Sequence, residues 1–368
     1  MSWHAVEAAD RAVRATRRFL FPFEAVRWAK LAFLALVMAG GGAGTPGAAT
    51  SSLGVPAGGV GAGNGIAPIE PESVPPGAER VVRTGVERVA ELDPALLAGL
   101  ALGAVFVVAV LSACSIAFRL VFYEALSTTE AALWGPFRDR FRQGLGLFGF
   151  AAVTAVVAGL PAVALAATLD PDLLRVVGVS VGRFPGWSPV APPLLGALGV
   201  LAGATALAGT AVSRLTFEFV APAMVARDVG VVAGWREVWA SFRGSWAEVV
   251  VYVAVHAVLA VGVGIVQAVA AAVVGGVVAV TGLVALLLAA VPLGGFGALI
   301  GTTAGAIVLA TVLVCAVVAV VVLTLPVTLV ARTYLTAFEV STLAGIDSDL
   351  APLAPALVAS DESGPVAE

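Results

Sequence analysis

Residues 272–331 form a stretch of the chain without a single charged side chain. A membrane-spanning helix needs about 20 consecutive apolar residues, so this stretch alone is long enough for several crossings. Over the whole chain of 368 residues, 60% are apolar and 12% are charged, against about 45–50% and about 25% in soluble domains. A soluble chain of this length cannot bury so many apolar residues in its core. The sequence therefore excludes a soluble enzyme, a disordered chain and a disulfide scaffold, and it predicts an all-α polytopic integral membrane helix bundle.

About six transmembrane helices are expected in a bundle over residues 31–339. The first begins in the run Leu31–Ala39 and ends in the glycines at 40–42. The other five apolar runs are close to the length that a bilayer requires, and they cover residues 95–118, 145–167, 190–213, 248–271 and 304–330. Paired glycines and Pro292 interrupt residues 273–301, which we expect to form either a re-entrant segment, folded as a hairpin, or a pair of short helices.

The segments outside these spans have distinct patterns. Residues 3–20 have the pattern of an amphipathic helix, with Val6, Val13 and Phe19 on one side and arginines on the other. Such a helix suits the membrane interface. We therefore assign residues 1–30 to an amphipathic interfacial helix. Residues 43–78 are rich in Gly, Pro and Ser and predict a flexible loop. A short amphipathic helix is expected at 79–92, and residues 340–368 predict a disordered acidic tail.

The distribution of basic residues predicts the sidedness. Fifteen of the 20 Lys and Arg residues fall on one side of the expected membrane helices, in segments 1–30, 119–143 and 214–247 and at Arg332. Cytoplasmic loops carry the excess of Lys and Arg, so both termini are expected in the cytoplasm and the chain in the cell membrane. The long patterned segment before the first span disfavours a cleaved signal peptide, which has a much shorter basic flank.

Charged and aromatic residues recur at the ends of alternate spans. Arg119, Arg214 and Arg332 follow the second, fourth and sixth spans, and Glu124, Glu218 and Glu339 lie a few residues beyond. The recurrence indicates a repeated helix pair. The six residues form either a charged cytoplasmic vestibule or ordinary positive flanks with interfacial pairing.

His256 and Gln267 are the other candidate polar sites. They lie about three turns apart on one face of the fifth span. An ionisable residue inside the membrane is a candidate functional residue, but a neutral His bonded to a neighbouring helix is the explanation that the sequence favours. A proton relay would also need acidic partners at membrane depth, and the expected spans contain none beyond Glu248, which stands at the very edge of the fifth span.

No established catalytic or cofactor motif accompanies these residues. A GxGxxG match at Gly144–Gly149 opens a membrane helix rather than following a strand, so close helix packing explains it better than dinucleotide binding. The pairs Gly99/Gly103 and Gly199/Gly203 also allow close packing. The two cysteines show no metal spacing. The sequence therefore predicts no catalytic residue, no cofactor and no metal.

A family resemblance rests on the N-terminal block and the elbows between spans, which read Trp3…Phe19-Leu20-Phe21-Pro22…Arg27-Trp28-Ala-Lys30-Leu31, Phe122-Tyr-Glu124-Ala-Leu126 and Gly234-Trp235-Arg236. On these residues the chain resembles a haloarchaeal family of multi-pass membrane proteins of unknown function, up to about residue 340. More distantly it is similar to the membrane domain of bacterial glycerophosphoryl diester phosphodiesterases. The resemblance implies a helical membrane fold. It implies no enzyme activity, since the catalytic domain of those enzymes is missing.

Two function classes follow. The first is a non-catalytic membrane scaffold or regulator, whose partners are membrane lipids and other membrane proteins. The second is a small-solute or lipid transporter, because broken apolar segments such as 273–301 are where transporters place their sites. A net charge of −4 gives no electrostatic footprint for nucleic acid. A polar cavity inside the membrane would favour transport, and a solid core would favour the scaffold.

Overall fold

The computed structural model of the protein describes residues 4–40, 93–169 and 192–358. These residues form helices joined by short connections, and they contain no strand. The expected loop at 43–78, the expected helix at 79–92 and the last part of the expected tail lie outside the described residues. The helices, with a π-helical segment at Thr216–Val220 and a 3-10 turn at Ser348–Leu350, are α1 His4–Leu20, α2 Ala25–Gly40, α3 Pro94–Thr128, α4 Trp134–Leu169, α5 Pro192–Leu215, α6 Ala221–Arg227, α7 Val231–Phe242, α8 Trp246–Leu293, α9 Phe296–Gly301, α10 Thr303–Ile346 and α11 Pro355–Val358.

Five of these helices are long and apolar enough to cross a membrane, which supports the predicted class of fold. They are α3, α4, α5 with its extension to Arg227, α8 and α10. The first expected span corresponds to α2, which has 16 residues.

Local chemistry sets the start of α3. The Asp93 carboxylate accepts a hydrogen bond from the Ala95 amide at 2.8 Å, and Pro94 stands at the first helical position, where no amide donor is needed.

Residues 273–293 differ from the expected re-entrant segment. They continue α8, which runs for 48 residues without a break, or about 72 Å at 1.5 Å per residue. The chain then reverses at Gly294 and Gly295, whose φ angles of 91° and 109° suit glycine. After the short helix α9, α10 returns antiparallel to α8. The interruptions therefore mark one reversal between two very long helices.

The N-terminal helix packs against α10 through a face that shares Phe19 with the predicted apolar face but not Val13. Ala8, Ala12, Ala15 and Phe19 are buried, and they repeat at helical spacing. Val13, expected on the apolar face, is 55% exposed. Small alanines allow α1 to approach α10 closely, so alanine rather than valine forms the contact.

The buried core lies at one end of the bundle. We call this region the packed end; it comprises residues 8–35, 113–147, 216–256 and 329–358. The C-terminal segment belongs to it. Residues 340–346 continue α10, and Leu350 and Leu357 are buried in the core. An ordered segment therefore occupies 340–358, where a disordered tail was expected.

The remaining helical segments form what we call the apolar half: residues 95–112, 150–169, 193–213 and 257–328. Most of their large apolar side chains are exposed, as expected where lipid rather than protein is the neighbour. The antiparallel pairs α4/α5 and α8/α10 meet there. No described atom lies within 4 Å of a Cβ built at Gly99, Gly103, Gly199 or Gly203, so these glycines make no close contact within the described chain.

Candidate functional site: a buried polar cluster

Four chain segments bring ionisable and phenolic side chains together inside the packed end. α3, the π-helical segment, α8 and α10 contribute them. We call this group the polar cluster; its members are Arg119, Tyr123, Glu218, Tyr252, His256 and Glu339.

The first part of the polar cluster joins α3 to α10. The Arg119 guanidinium lies 3.6 Å from a Glu339 carboxylate oxygen, and the Tyr123 hydroxyl lies 3.1 Å from the same oxygen. Arg119 also donates to that hydroxyl at 3.3 Å. Because residues 119 and 339 are distant in sequence, these contacts fix the relative position of two long helices.

The second part joins the π-helical segment to α8. The Tyr252 hydroxyl donates to Glu218 Oε2 at 2.9 Å and lies 3.1 Å from His256 Nδ1. The other ring nitrogen, Nε2, lies 3.8 Å from Glu218 Oε1. Arg214 Nε is 3.9 Å from the same oxygen, one helical turn before it. Glu218 is thus the centre of this part.

A π-helical segment connects the two parts. All five of its residues, Thr216–Val220, are buried. The Phe217 carbonyl accepts hydrogen bonds from the Tyr123 hydroxyl at 2.9 Å and from Arg119 Nη2 at 3.3 Å. Single turns of π-helix occur often at functional sites. Here the wide turn aims a backbone carbonyl at α3 while the Glu218 side chain faces α8.

Aromatic rings enclose the cluster. Tyr252 stacks on Phe338 with ring centroids 5.6 Å apart and meets Phe219 edge-on at 4.7 Å. The Arg119 guanidinium lies 5.1 Å from the centre of the Phe217 ring, within cation–π range. The side chains of Glu218, His256 and Glu339 are 12%, 8% and 8% exposed. The ionic groups are therefore shielded from bulk water, where their interactions are stronger and an unpaired charge is costly.

Sequence comparison places the chain in a family. The model of a family of unknown function, DUF7544, matches residues 3–353. The chain belongs to this family. The match includes every residue of the polar cluster. No curated protein and no solved structure matches the chain.

The structure brings five of the eight candidate residues together. Arg119, Arg214, Glu218, His256 and Glu339 meet in or beside the polar cluster. This arrangement bears on a proton relay. The sequence predicts Glu218 and Glu339 beyond the ends of the membrane spans, whereas in the structure the helical segments continue through both residues, so that His256 has an acidic neighbour.

Of the other three candidates, Glu124 and Gln267 lie elsewhere. Arg332 is near enough to Arg119 and Glu339 to interact with both electrostatically, but it forms no ion pair with Glu339 in the described part of the chain. Glu124 accepts from Arg140 Nε at 2.7 Å, and Arg140 in turn reaches Asp228 at 2.8 Å. Gln267 is half-buried on α8, three turns beyond His256. Arg332 is half-buried on α10, two turns before Glu339. Glu124 therefore belongs to a second ionic group that joins α3 and α4 to the loop after α6.

Sequence reasoning missed the two tyrosines. The chain has only three tyrosines and two histidines, and the polar cluster holds two of the former and one of the latter. Their scarcity in such an apolar chain was the one sequence feature that could have marked the two tyrosines as candidates. Their helical positions, Tyr123 four residues after Arg119 and Tyr252 four residues before His256, place each beside a predicted candidate.

The arrangement also creates a set of metal-ligating groups that no spacing predicted. One ligand atom each from Glu218, His256 and Glu339 lies within 4.8 Å of the others. The three residues come from three separate segments, so the sequence shows no motif. Carboxylate oxygens with an imidazole nitrogen are a donor set for first-row transition metals.

Proposed function

We propose that the protein is a non-catalytic scaffold of the cell membrane. In this proposal the packed end lies at the cytoplasmic surface, with both termini on that side, and holds the helix ends in fixed positions. The apolar half presents helix faces to lipids and to other membrane proteins. Five helices suited to crossing a membrane and the concentration of buried side chains at one end support this arrangement.

The observation that carries the proposal is the first half of α3. From residue 95 to residue 111 nearly every side chain is exposed, so within the described residues this helix segment has no close partner on any side. Gly99 and Gly103 lie there without a close neighbour. A small-xxx-small pair lets two membrane helices approach closely. A helix held firmly at one end and open along this face is suited to pairing with a helix of another protein.

The solid packing of the polar cluster favours a scaffold over the alternative of a small-solute or lipid transporter. Tyr123 and Tyr252 are fully buried, and aromatic rings close the cluster. The segment that suggested a transport site, 273–301, forms a hairpin reversal without charged residues. The haloarchaeal origin and the distant likeness to phosphodiesterase membrane domains stay predictions.

Photo-cross-linking in the native membrane tests the proposal. A photoreactive amino acid replaces Val110, which lies on the Gly99/Gly103 face, or Val108, which lies on the opposite face. We expect discrete protein adducts from position 110, identified by mass spectrometry, and lipid adducts alone from position 108. The Gly103→Leu substitution should remove the adducts from position 110, since it blocks close approach.

Two outcomes would contradict the scaffold. One is that both positions yield only lipid adducts. The other is transport: purified protein in liposomes would conduct protons or a solute above the rate of empty liposomes, and Glu218→Gln would abolish this flux. The second outcome would establish the transporter alternative.

A further inference from the structure

The hydrogen bonds around Tyr252 determine which nitrogen of His256 carries a proton. The Tyr252 hydroxyl has one proton and donates it to Glu218 Oε2 at 2.9 Å, because a carboxylate only accepts. The same hydroxyl lies 3.1 Å from His256 Nδ1. It must accept there, so Nδ1 carries the N–H. In a neutral imidazole the other nitrogen, Nε2, is then a bare acceptor.

That bare nitrogen faces another acceptor. His256 Nε2 lies 3.8 Å from Glu218 Oε1, which is too long for a hydrogen bond. The second contact of this oxygen, with Arg214 Nε at 3.9 Å, is also longer than a charge-assisted hydrogen bond of about 2.7–2.9 Å. Two buried lone pairs that face each other repel unless a cation lies between them. The cation is either a proton on Nε2 or a metal ion.

We propose that Glu218, His256 and Glu339 bind a divalent first-row transition-metal ion. Zn²⁺ binds imidazole nitrogen and carboxylate oxygen at about 2.0–2.2 Å. Two ligand atoms 3.8 Å apart are therefore correctly spaced for one ion between them. The three ligand atoms lie within 4.8 Å of one another, so the widest pair must close by roughly 1 Å to reach that geometry. A turn of the Glu339 side chain about its own bonds is sufficient.

The charges nearby are compatible with a dication. Glu218 and Glu339 supply two negative charges. Arg214 is 41% exposed and can turn towards water when the ion takes its place beside Glu218. Arg119 keeps the Phe217 carbonyl at 3.3 Å and the Phe217 ring as partners. The ion therefore replaces the long contact with Arg214 by short bonds.

Tyr252 acts as a positioning residue for this site. Metal-binding histidines usually donate their second N–H to a neighbouring acceptor, which fixes the tautomer and the ring orientation. The Tyr252 hydroxyl accepts from Nδ1 and also holds Glu218 Oε2. It thereby aims two ligands at one point. The ion would tie the π-helical segment to α8 and α10, a role that goes beyond the proposed scaffold and does not depend on it.

Metal binding to the purified full-length protein tests the site. The protein in detergent is stripped with a chelator and dialysed against Zn²⁺, and separately against Mn²⁺ and Fe²⁺. Elemental analysis should find one ion per chain for at least one of these metals. We expect His256→Gln and Glu218→Gln to abolish binding, and Tyr252→Phe to weaken it about 10–100-fold. Gln267→Ala, on the same helix three turns away, should bind as the wild type does.

Measurements on the wild-type protein are enough to reject the metal site, so the test does not depend on whether the variants fold. If no metal binds, and nitrogen NMR of labelled histidine shows both ring nitrogens of His256 protonated, the cation is a proton. Binding that persists unchanged in His256→Gln and Glu218→Gln, with helicity and elution volume preserved, would place the ion elsewhere and equally reject the site.

Discussion

At the packed end, large rings such as Phe122, Tyr123 and Phe338 are completely buried, whereas in the apolar half Leu102, Val200 and Leu207 each expose more than 70% of their surface. The same helices pass through both regions, so the difference reflects two surroundings. Large aromatic side chains are buried against protein in one, and aliphatic side chains face outward in the other. A soluble protein does not leave so much apolar surface open to water. The comparison therefore indicates lipid around the apolar half.

The two regions also differ in what holds their helices together. In the packed end, ionic and aromatic contacts join segments that are far apart in sequence. In the apolar half, a lipid neighbour removes the hydrophobic driving force between helices, and association depends on close packing and on interhelical hydrogen bonds. Gly209 of α5 packs directly on Ala158 of α4, and the Thr205 hydroxyl lies 3.2 Å from the Ala158 carbonyl. Mutations should therefore cost more at the packed end.

The largest effect is expected when one partner of the buried ion pair is removed. Glu339→Leu leaves the half-buried Arg119, whose side chain is 23% exposed, without its carboxylate, which should lower the free energy of unfolding in detergent by up to about 3–5 kcal/mol. Chelator should be present, so that any bound metal does not contribute. The double variant Arg119→Met/Glu339→Leu should recover most of the loss, because no charge is then left unpaired.

The control for that experiment is an exposed pair at the same end. Arg227 lies 3.4 Å from Asp349, and their side chains are 44% and 71% exposed. Arg227→Gln should change the free energy of unfolding by less than about 1 kcal/mol. If Arg227→Gln lowers the free energy of unfolding as much as Glu339→Leu does, burial does not explain the contribution of either ion pair.

An intermediate effect is expected where α3 meets α4. A Cβ at Gly144 would lie 2.9 Å from the Ala117 Cα, whereas one at Gly146 meets nothing within 4 Å. Gly144→Ala should therefore cost about 1–3 kcal/mol through overpacking, and Gly146→Ala should be neutral or stabilising by up to about 1 kcal/mol through helix propensity. Chemical denaturation of the two variants measures the difference. Equal effects would mean that the two helices do not touch at this point.

The smallest effect is expected in the apolar half. Thr205→Val keeps the shape of the side chain and removes a hydroxyl that is shared between the Ala158 carbonyl of α4 at 3.2 Å and the Leu201 carbonyl of its own helix at 2.9 Å. The loss should therefore be at most about 0.6 kcal/mol, the average for interhelical hydrogen bonds in membranes. Thr281→Val provides the control, since Thr281 bonds to the Val277 carbonyl of its own helix and its loss should be smaller still. A loss above that of Gly144→Ala would reverse the comparison between the two regions.

Hydrophobic length predicted the apolar half well, because the lipid-facing segments are the runs in which charge is absent. It did not predict how far the helices extend. The expected spans ended before Arg119, Glu218 and Glu339, since a charge inside a membrane helix is costly. The helices continue because partners from other segments pair those charges. Arg119 and Glu339 are more than 200 residues apart, and Glu218 meets Tyr252 and His256 of another helix, so neither pairing leaves a local pattern.

The sequence predicted most of the charged residues of the candidate site, but it did not predict which residues pair with one another. The position of an ionisable residue inside an expected span identified His256, and the recurrence at the span ends identified Arg119, Arg214, Glu218 and Glu339. Glu124 has the same position relative to its span, yet its partner is Arg140. The π-helical turn determines how Glu218 faces α8. Its sequence, TFEFV, contains no pattern from which a π-helical turn could be predicted.

Sided labelling of single cysteines tests whether the packed end and the α8–α10 hairpin lie on opposite sides of the membrane. In a background where Cys114 and Cys315 are replaced by serine, one cysteine is placed at Asp349, which is exposed at the packed end, or at Gly297 in the hairpin, where the added side chain meets nothing within 4 Å. A membrane-impermeant maleimide should label position 297 in intact cells and position 349 only after permeabilisation. Labelling of both positions from the same side would show that the packed end and the hairpin do not lie on opposite sides of the membrane.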